Sequence, residues 1–175
     1  MFKKGLFLVF AVALAASAFQ FKAVSSPNAT RMLRAQIVVP DNSTGNAVRQ
    51  VGEGSTFFDY DRFRVSVQPK RSGHVYLFSR NRRGDVQLLY PLRDDGDGFV
   101  ARNQRVDLPG DGWLRFDEMA GQEELILIES VQPLAEIEQW NEDGDAADPE
   151  VLDRYEHYPT RNMLVQHMFL EHENR

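Results

Sequence analysis

Between Asp61 and Gln68 apolar and polar residues alternate strictly. Phe63, Val65 and Val67 form one set, and Arg62, Arg64, Ser66 and Gln68 form the other. That period predicts a strand with one buried face. A turn over Pro69 to Gly73 leads to His74–Ser79 (HVYLFS), a run so uniformly apolar that it predicts a central strand. Asn81 to Gly84 turns the chain, with Gly84 where a hairpin needs positive φ. Asp85–Tyr90 then forms a third strand that Pro91 ends. The three read as an antiparallel meander. Further strands are expected at Leu33–Val39, Gln104–Leu108, Trp113–Phe116 and Glu123–Glu129, separated by turn-forming stretches such as Asp94–Gly98 and Pro109–Gly112. Such close spacing predicts a mainly β fold, a small antiparallel sandwich or open barrel.

The pattern changes after Val131. Pro133 stands at a helix-start position, followed by Leu134, Ile137 and Trp140 at three-residue spacing. Pro149–His157 offers another helical turn or two. Thr160–His172, with Thr160 as N-cap and Met163, Leu164 and Met168 as an apolar stripe joined by Val165 or Leu170, predicts a third helix. The expected organisation is therefore a leader at residues 1–18, a linker at 19–32, a β domain at 33–133 and a helical C-terminal extension at 134–175.

The leader is read from three parts. Lys3 and Lys4 give a positive start, Gly5–Leu14 is apolar, and Ala16-Ser17-Ala18 is a small-residue cleavage site. A spanning helix needs about 20 apolar residues, which this run lacks. The expectation is export, cleavage after Ala18, and a periplasmic or secreted mature protein. Membrane contact is expected only through the leader, were it retained. Cleavage removes two lysines and no acid, making the formal net charge of −6 more negative by two. The densest basic run, Arg80, Arg82 and Arg83, falls in a turn beside Asp85, so nucleic acid is not an expected partner. The absence of cysteine excludes disulfides, thiolate metal sites and cysteine nucleophiles.

From about Phe63 to Leu134 the chain resembles the bacterial family called domain of unknown function 4384. The likeness rests on GHVYLFSRNRRGDVQLLYP (Gly73–Pro91), DLP (Asp107–Pro109) and GQEELILIESVQPL (Gly121–Leu134). It implies an extracytoplasmic or surface-associated β module, often attached to other domains. It brings no catalytic residue onto any position.

Candidates for chemistry are sparse. Asn141, Asp143 and Asp145 have the spacing of a calcium loop, but Ala146 and Leu152 stand where its glycine and bidentate glutamate belong. Asp94, Asp95 and Asp97 read as turn residues. His157, His167 and His172 lack the His-Glu-x-x-His spacing of a zinc helix. Ser130 and His74 end and begin strands without a nucleophile-elbow motif. Glu123 and Glu124 alternate across a strand and cannot face one substrate. No catalytic, cofactor-binding or metal residue is assigned. The expected function is a non-catalytic exported module that binds another envelope or secreted protein, or an envelope component. Trp140 and the Met163, Leu164, Met168 and Phe169 set are the candidate contacts, against a first reading in which they cover an end of the sandwich. The alternative is an envelope hydrolase or a small-ligand or metal binder.

Overall fold

A computed structural model of the chain describes residues 34–40, 48–51, 55–92, 96–116, 120–143 and 147–174. The expected leader and linker, and part of each acidic loop, lie outside them.

The strands are β1 (Arg34–Pro40), β2 (Val48–Val51), β3 (Thr56–Phe58), β4 (Arg62–Gln68), β5 (Gly73–Arg80) and β6 (Val86–Tyr90). They continue with β7 (Phe99–Val100), β8 (Val106–Leu108), β9 (Leu114–Arg115), β10 (Gly121–Ser130) and β11 (Met163–Glu173). Helices α1 (Ala135–Asp143) and α2 (Pro149–His157) lie between β10 and β11. The fold is mainly β, a sandwich of two sheets and not a closed barrel. Sheet A runs β2-β1-β4-β8, with β9 also on β4. Sheet B runs β3-β11-β10-β5-β6, with β7 also on β5. Every described pairing is antiparallel except β3 with β11.

β4 has the expected alternation. Phe63, Val65 and Val67 enter the core between the sheets, joined by Ile37, Leu108 and Phe116 from sheet A and by Val75, Leu77, Leu125 and Leu127 from sheet B. β5 and β10 are apolar on both faces for a reason the layers make plain. Their other residues, Tyr76, Phe78, Ile126 and Ile128, form a second core with Leu134 and Ile137 of the α1 segment, Leu152 of α2, and Met163 and Val165 of β11. Sheet B is thus the middle of three layers, with sheet A on one side and the helices on the other. Each large side chain buried this way is worth about 1.5–3 kcal/mol.

Local chemistry fixes the helices and turns. Tyr76 on β5 accepts the Leu134 N–H at 2.9 Å and donates to Glu138 at 2.5 Å, tying the start of α1 to the sheet. Burial, followed by the bond to Glu138, pushes the Tyr76 phenol far above its ordinary range. α2 begins with Asp148 as N-cap, its side chain accepting the Glu150 N–H at 2.9 Å, and with Pro149 in the first turn. Gly84 has φ +86° in the β5–β6 turn, as expected.

Two expectations are corrected. β4, β5 and β6 are not one meander: β5 pairs with β6, but β4 pairs with β1, β8 and β9, so the chain changes sheets at the Pro69–Ser72 turn. And Thr160–His172 is not a helix. It is a turn followed by β11, which runs beside the whole of β10. The segment MLVQHMFL is apolar on both faces because sheet B is covered on both, and a continuous apolar run cannot be told from a helix by period alone. Strands β2, β3 and β7 had no counterpart in the sequence reading. They are two to four residues long, too short to establish a period.

Candidate functional site

Strand parity places Arg80, Glu124 and His167 on the helix-facing side of sheet B, in line with Phe78, Ile126 and Val165. Arg80 lies directly opposite Glu124. From α2, Asp153 and Glu156 reach down onto the same spot, three residues apart and so on one helix face. The Arg80 guanidinium bonds Glu124 (2.9 Å), Asp153 (3.0 Å) and both oxygens of Glu156, one at 3.2 Å and the other shorter. His167 Nδ1 is 2.6 Å from Glu124 Oε1 and 3.7 Å from Glu156 Oε1. A carboxylate only accepts, so Nδ1 carries the proton it donates to Glu124. Glu156 is 8% exposed.

Burial works against the charge on both Glu124 and Arg80, and their partners win. His167 and Arg80 together hold the Glu124 carboxyl below the usual carboxylate range. Glu156 and Glu124 hold the Arg80 guanidinium above its ordinary value. A second, exposed pair holds the two helices together. Arg154 of α2 bonds both oxygens of Glu136 on α1 at 2.6 and 2.5 Å, and Tyr155 donates to the same carboxylate at 2.8 Å. Arg154 and Tyr155 lower the Glu136 pKa, while burial, then Glu136, push the Tyr155 phenol up to about 12.

Glu124, Glu156 and His167 each bring one possible ligand atom within 4.8 Å of the others, close enough to hold a metal ion. The geometry argues for another use. Arg80 already bonds both carboxylates, and the Nδ1 lone pair that would meet a metal is protonated toward Glu124. A divalent cation would have to displace the guanidinium. As arranged, the cluster locks α2 onto the middle sheet.

The other candidates are dispersed. His157, His167 and His172 do not converge. His167 and His172 are an odd number of residues apart on β11 and face opposite layers, while His157 caps back onto the Asp153 carbonyl. His172, buried between the sheets, bonds Asp59 at 2.9 Å and packs against Phe116. Glu123 and Glu124 face opposite layers, as the alternation required. His74 does gather an acid: its Nε2 is 3.4 Å from Asp97, and register puts Ser130 across from it. Among the described residues its buried Nδ1 meets no hydrogen-bond partner, so Ser130 does not engage that nitrogen. Asp97 also accepts the Phe99 N–H, the turn role expected of it. Asp94, Asp95 and Asp145 lie outside the described residues. Two clefts of about 380 Å³ flank the start of β4. One has Phe63, Leu89 and Leu114 inside and Asp85, Arg115 and Glu123 among its polar lining; the other runs from Val39 and Val51 to Tyr60.

The five candidate contacts do not share a face. Met163 belongs to the helix-side core and Met168 to the sandwich core, where Leu164 packs from its edge. Trp140 packs half-buried against the helix-side core. Phe169 alone of the five is exposed, at 42%. The Arg80 cluster is hidden in the sequence as long as Thr160–His172 reads as a helix. Charged residues on one parity of three strands, Arg80, Glu124 and His167, were the signal available.

No curated protein and no solved structure matches the chain. Residues 57–133, from β3 to the end of β10 and its following turn, match the family described as Domain of unknown function (DUF4384), and over that segment this chain is similar to that family.

Proposed function

We propose that this chain is an exported, non-catalytic β module that binds another envelope or secreted protein, or an envelope component, as an accessory subunit. The observation that carries the reading is how the ionisable residues are used. Arg80, Glu124, Asp153, Glu156 and His167 saturate one another, and His172 is bonded to Asp59. Groups committed to each other in the resting fold hold helices and strands in place. They are not poised to exchange protons with a substrate. Large aromatic surface, in contrast, remains in water: Tyr60 is 62% exposed, Tyr158 79% and Phe169 42%. Exposed aromatic anchors are what a binding surface uses. Export is supported by the three-part leader pattern at residues 1–18.

The test has two arms. Fractionation of the native host with N-terminal sequencing should find the chain outside the cytoplasm, beginning at Phe19. Immobilised protein should retain a defined component of envelope extract, and Phe169→Gln, which puts no second carboxylate opposite Glu124, should release it at a nearly unchanged melting temperature. An uncleaved cytoplasmic chain, or retention indifferent to every exposed aromatic, contradicts the reading.

A further inference from the structure

Among the described residues, arginines gather on the outer face of one sheet and acids on the helices. The outer face of sheet A carries Arg62 and Arg64 on β4, Arg105 before β8, and Arg115 on β9, against Asp107 on β8. At the far side of the three-layer stack, α1 (AEIEQWNED) has four acids and no base, and α2 (PEVLDRYEH) has three acids and one arginine. The basic corner is unusual in detail. Arg62 and Arg115 stand directly opposite one another on paired strands, a like-charge contact that costs stability. Both are exposed, and among the described residues neither is paired with a carboxylate. Two residues along β4 from Arg62, Arg64 is tied to the β8–β9 turn. It donates to the Gly112 and Asp111 carbonyls at 2.6 and 2.7 Å and stacks 4.3 Å above the Trp113 ring, with Arg62 5.9 Å from the same ring. Exposed Tyr60 precedes β4 at the same end.

We propose that this corner of sheet A docks on an anionic phospholipid surface. Two like-charged guanidiniums facing solvent side by side are relieved by an anionic layer that meets both. Indole and phenol beside arginine suit the boundary between headgroups and water. The acidic helices lie two layer spacings away, roughly 20 Å, so their repulsion is screened over a Debye length of about 8 Å. A planar partner therefore meets the arginines ahead of the acidic helices, with Asp107, which faces Arg105, and exposed Asp111 as the nearer acids on or beside that face. Tyr60 and Arg62 border one cleft and Arg115 the other, while Arg64 and Trp113 stand outside both. The proposal rests on the envelope-binding reading and names the component, but it uses a surface separate from Phe169.

The experiment is co-sedimentation of the full chain with vesicles of phosphatidylcholine alone and of phosphatidylcholine with phosphatidylglycerol. Wild type is compared with Arg62→Gln/Arg115→Gln, which keeps the Arg64–Trp113 stack; Lys3, Lys4 and the apolar leader are common to both. Wild type should prefer the phosphatidylglycerol vesicles and lose that preference in high salt, and the double variant should bind them about twentyfold more weakly. Equal binding to both vesicle types, or an unchanged double variant of wild-type melting temperature, overturns the proposal. So does tighter binding to duplex DNA than to the anionic vesicles. Loss of vesicle binding in the double variant with envelope-protein capture intact separates this proposal from the reading it rests on. Phe169→Gln should do the reverse.

Discussion

Sheet A and sheet B are built from the same kind of strand and live in different surroundings. β4 in sheet A buries Phe63, Val65 and Val67 and turns Arg62 and Arg64 outward. β5 and β10 in sheet B bury both parities, one toward sheet A and the other toward the helices. A strand covered once tolerates charge at every second residue. A strand covered twice tolerates it only at its ends, and there the charges must be paired. Arg80 closes β5, Glu124 lies near the start of β10, and α2 completes the pairing with Asp153 and Glu156. The ion cluster marks where the doubly covered layer meets water.

The comparison can be broken most severely by removing β11. Truncation before Arg161 deletes the strand between β10 and β3 and exposes Leu125–Ile128, so the protein should lose its cooperative thermal transition. A well-folded truncated form would contradict the three-layer description. Next come matched core truncations. Phe78→Ala, on the helix-facing side of β5, should cost about 4 kcal/mol in denaturant unfolding, as much as Phe63→Ala between the sheets. A helix-side cost near zero would mean the third layer is loosely laid on. Arg80→Ala should cost about 2–3 kcal/mol, because Glu156 and Glu124 are left buried without their cation. Its effect should be largely shared with Glu156→Ala, so the double variant is less destabilised than additivity predicts. Tyr76→Phe, which leaves the Leu134 N–H without its acceptor, should cost about 1–2 kcal/mol.

The smallest effect is on pH. The Glu124 pKa is lowered in the fold, so its carboxylate contributes stability that is fully present above its ordinary value of 4.5. The contribution is lost as pH falls through the lowered value. Wild type should therefore exceed Glu124→Gln in melting temperature at neutral pH, with the gap closing in acid below about 4.5. A gap that widens in acid would reverse the sign and remove the ion-pair account.

How much of this was legible depended on the covering. Strand β4 could be read residue by residue because one face meets water and the period of two is visible. β5 and β10 could be recognised as buried strands, but not assigned to a sheet, since a uniformly apolar run carries no facing information. β11 failed for the same reason. Met163 and Val165 on one parity and Leu164, Met168 and Leu170 on the other together imitate a helical stripe. The cluster at Arg80 needed β11 in place before His167 could be seen beside Glu124. Residues 57–133 contain Arg80 and Glu124, while Asp153, Glu156 and His167 come from the chain beyond that segment. The matched segment therefore covers β4 to β10 but neither β1 and β2 nor β11, and it holds only part of the lock.

The double covering of sheet B is the claim on which the rest stands, and methyl NOEs across β10 test it directly. Ile126 and Ile128 should show cross-peaks to Ile137 and Leu152 of the helices, while Leu125 and Leu127 show them to Val65 and Leu108 of sheet A. If both sets of methyls reached the same partners, or if Ile126 and Ile128 reached no helix methyl, the helices would not be the third layer.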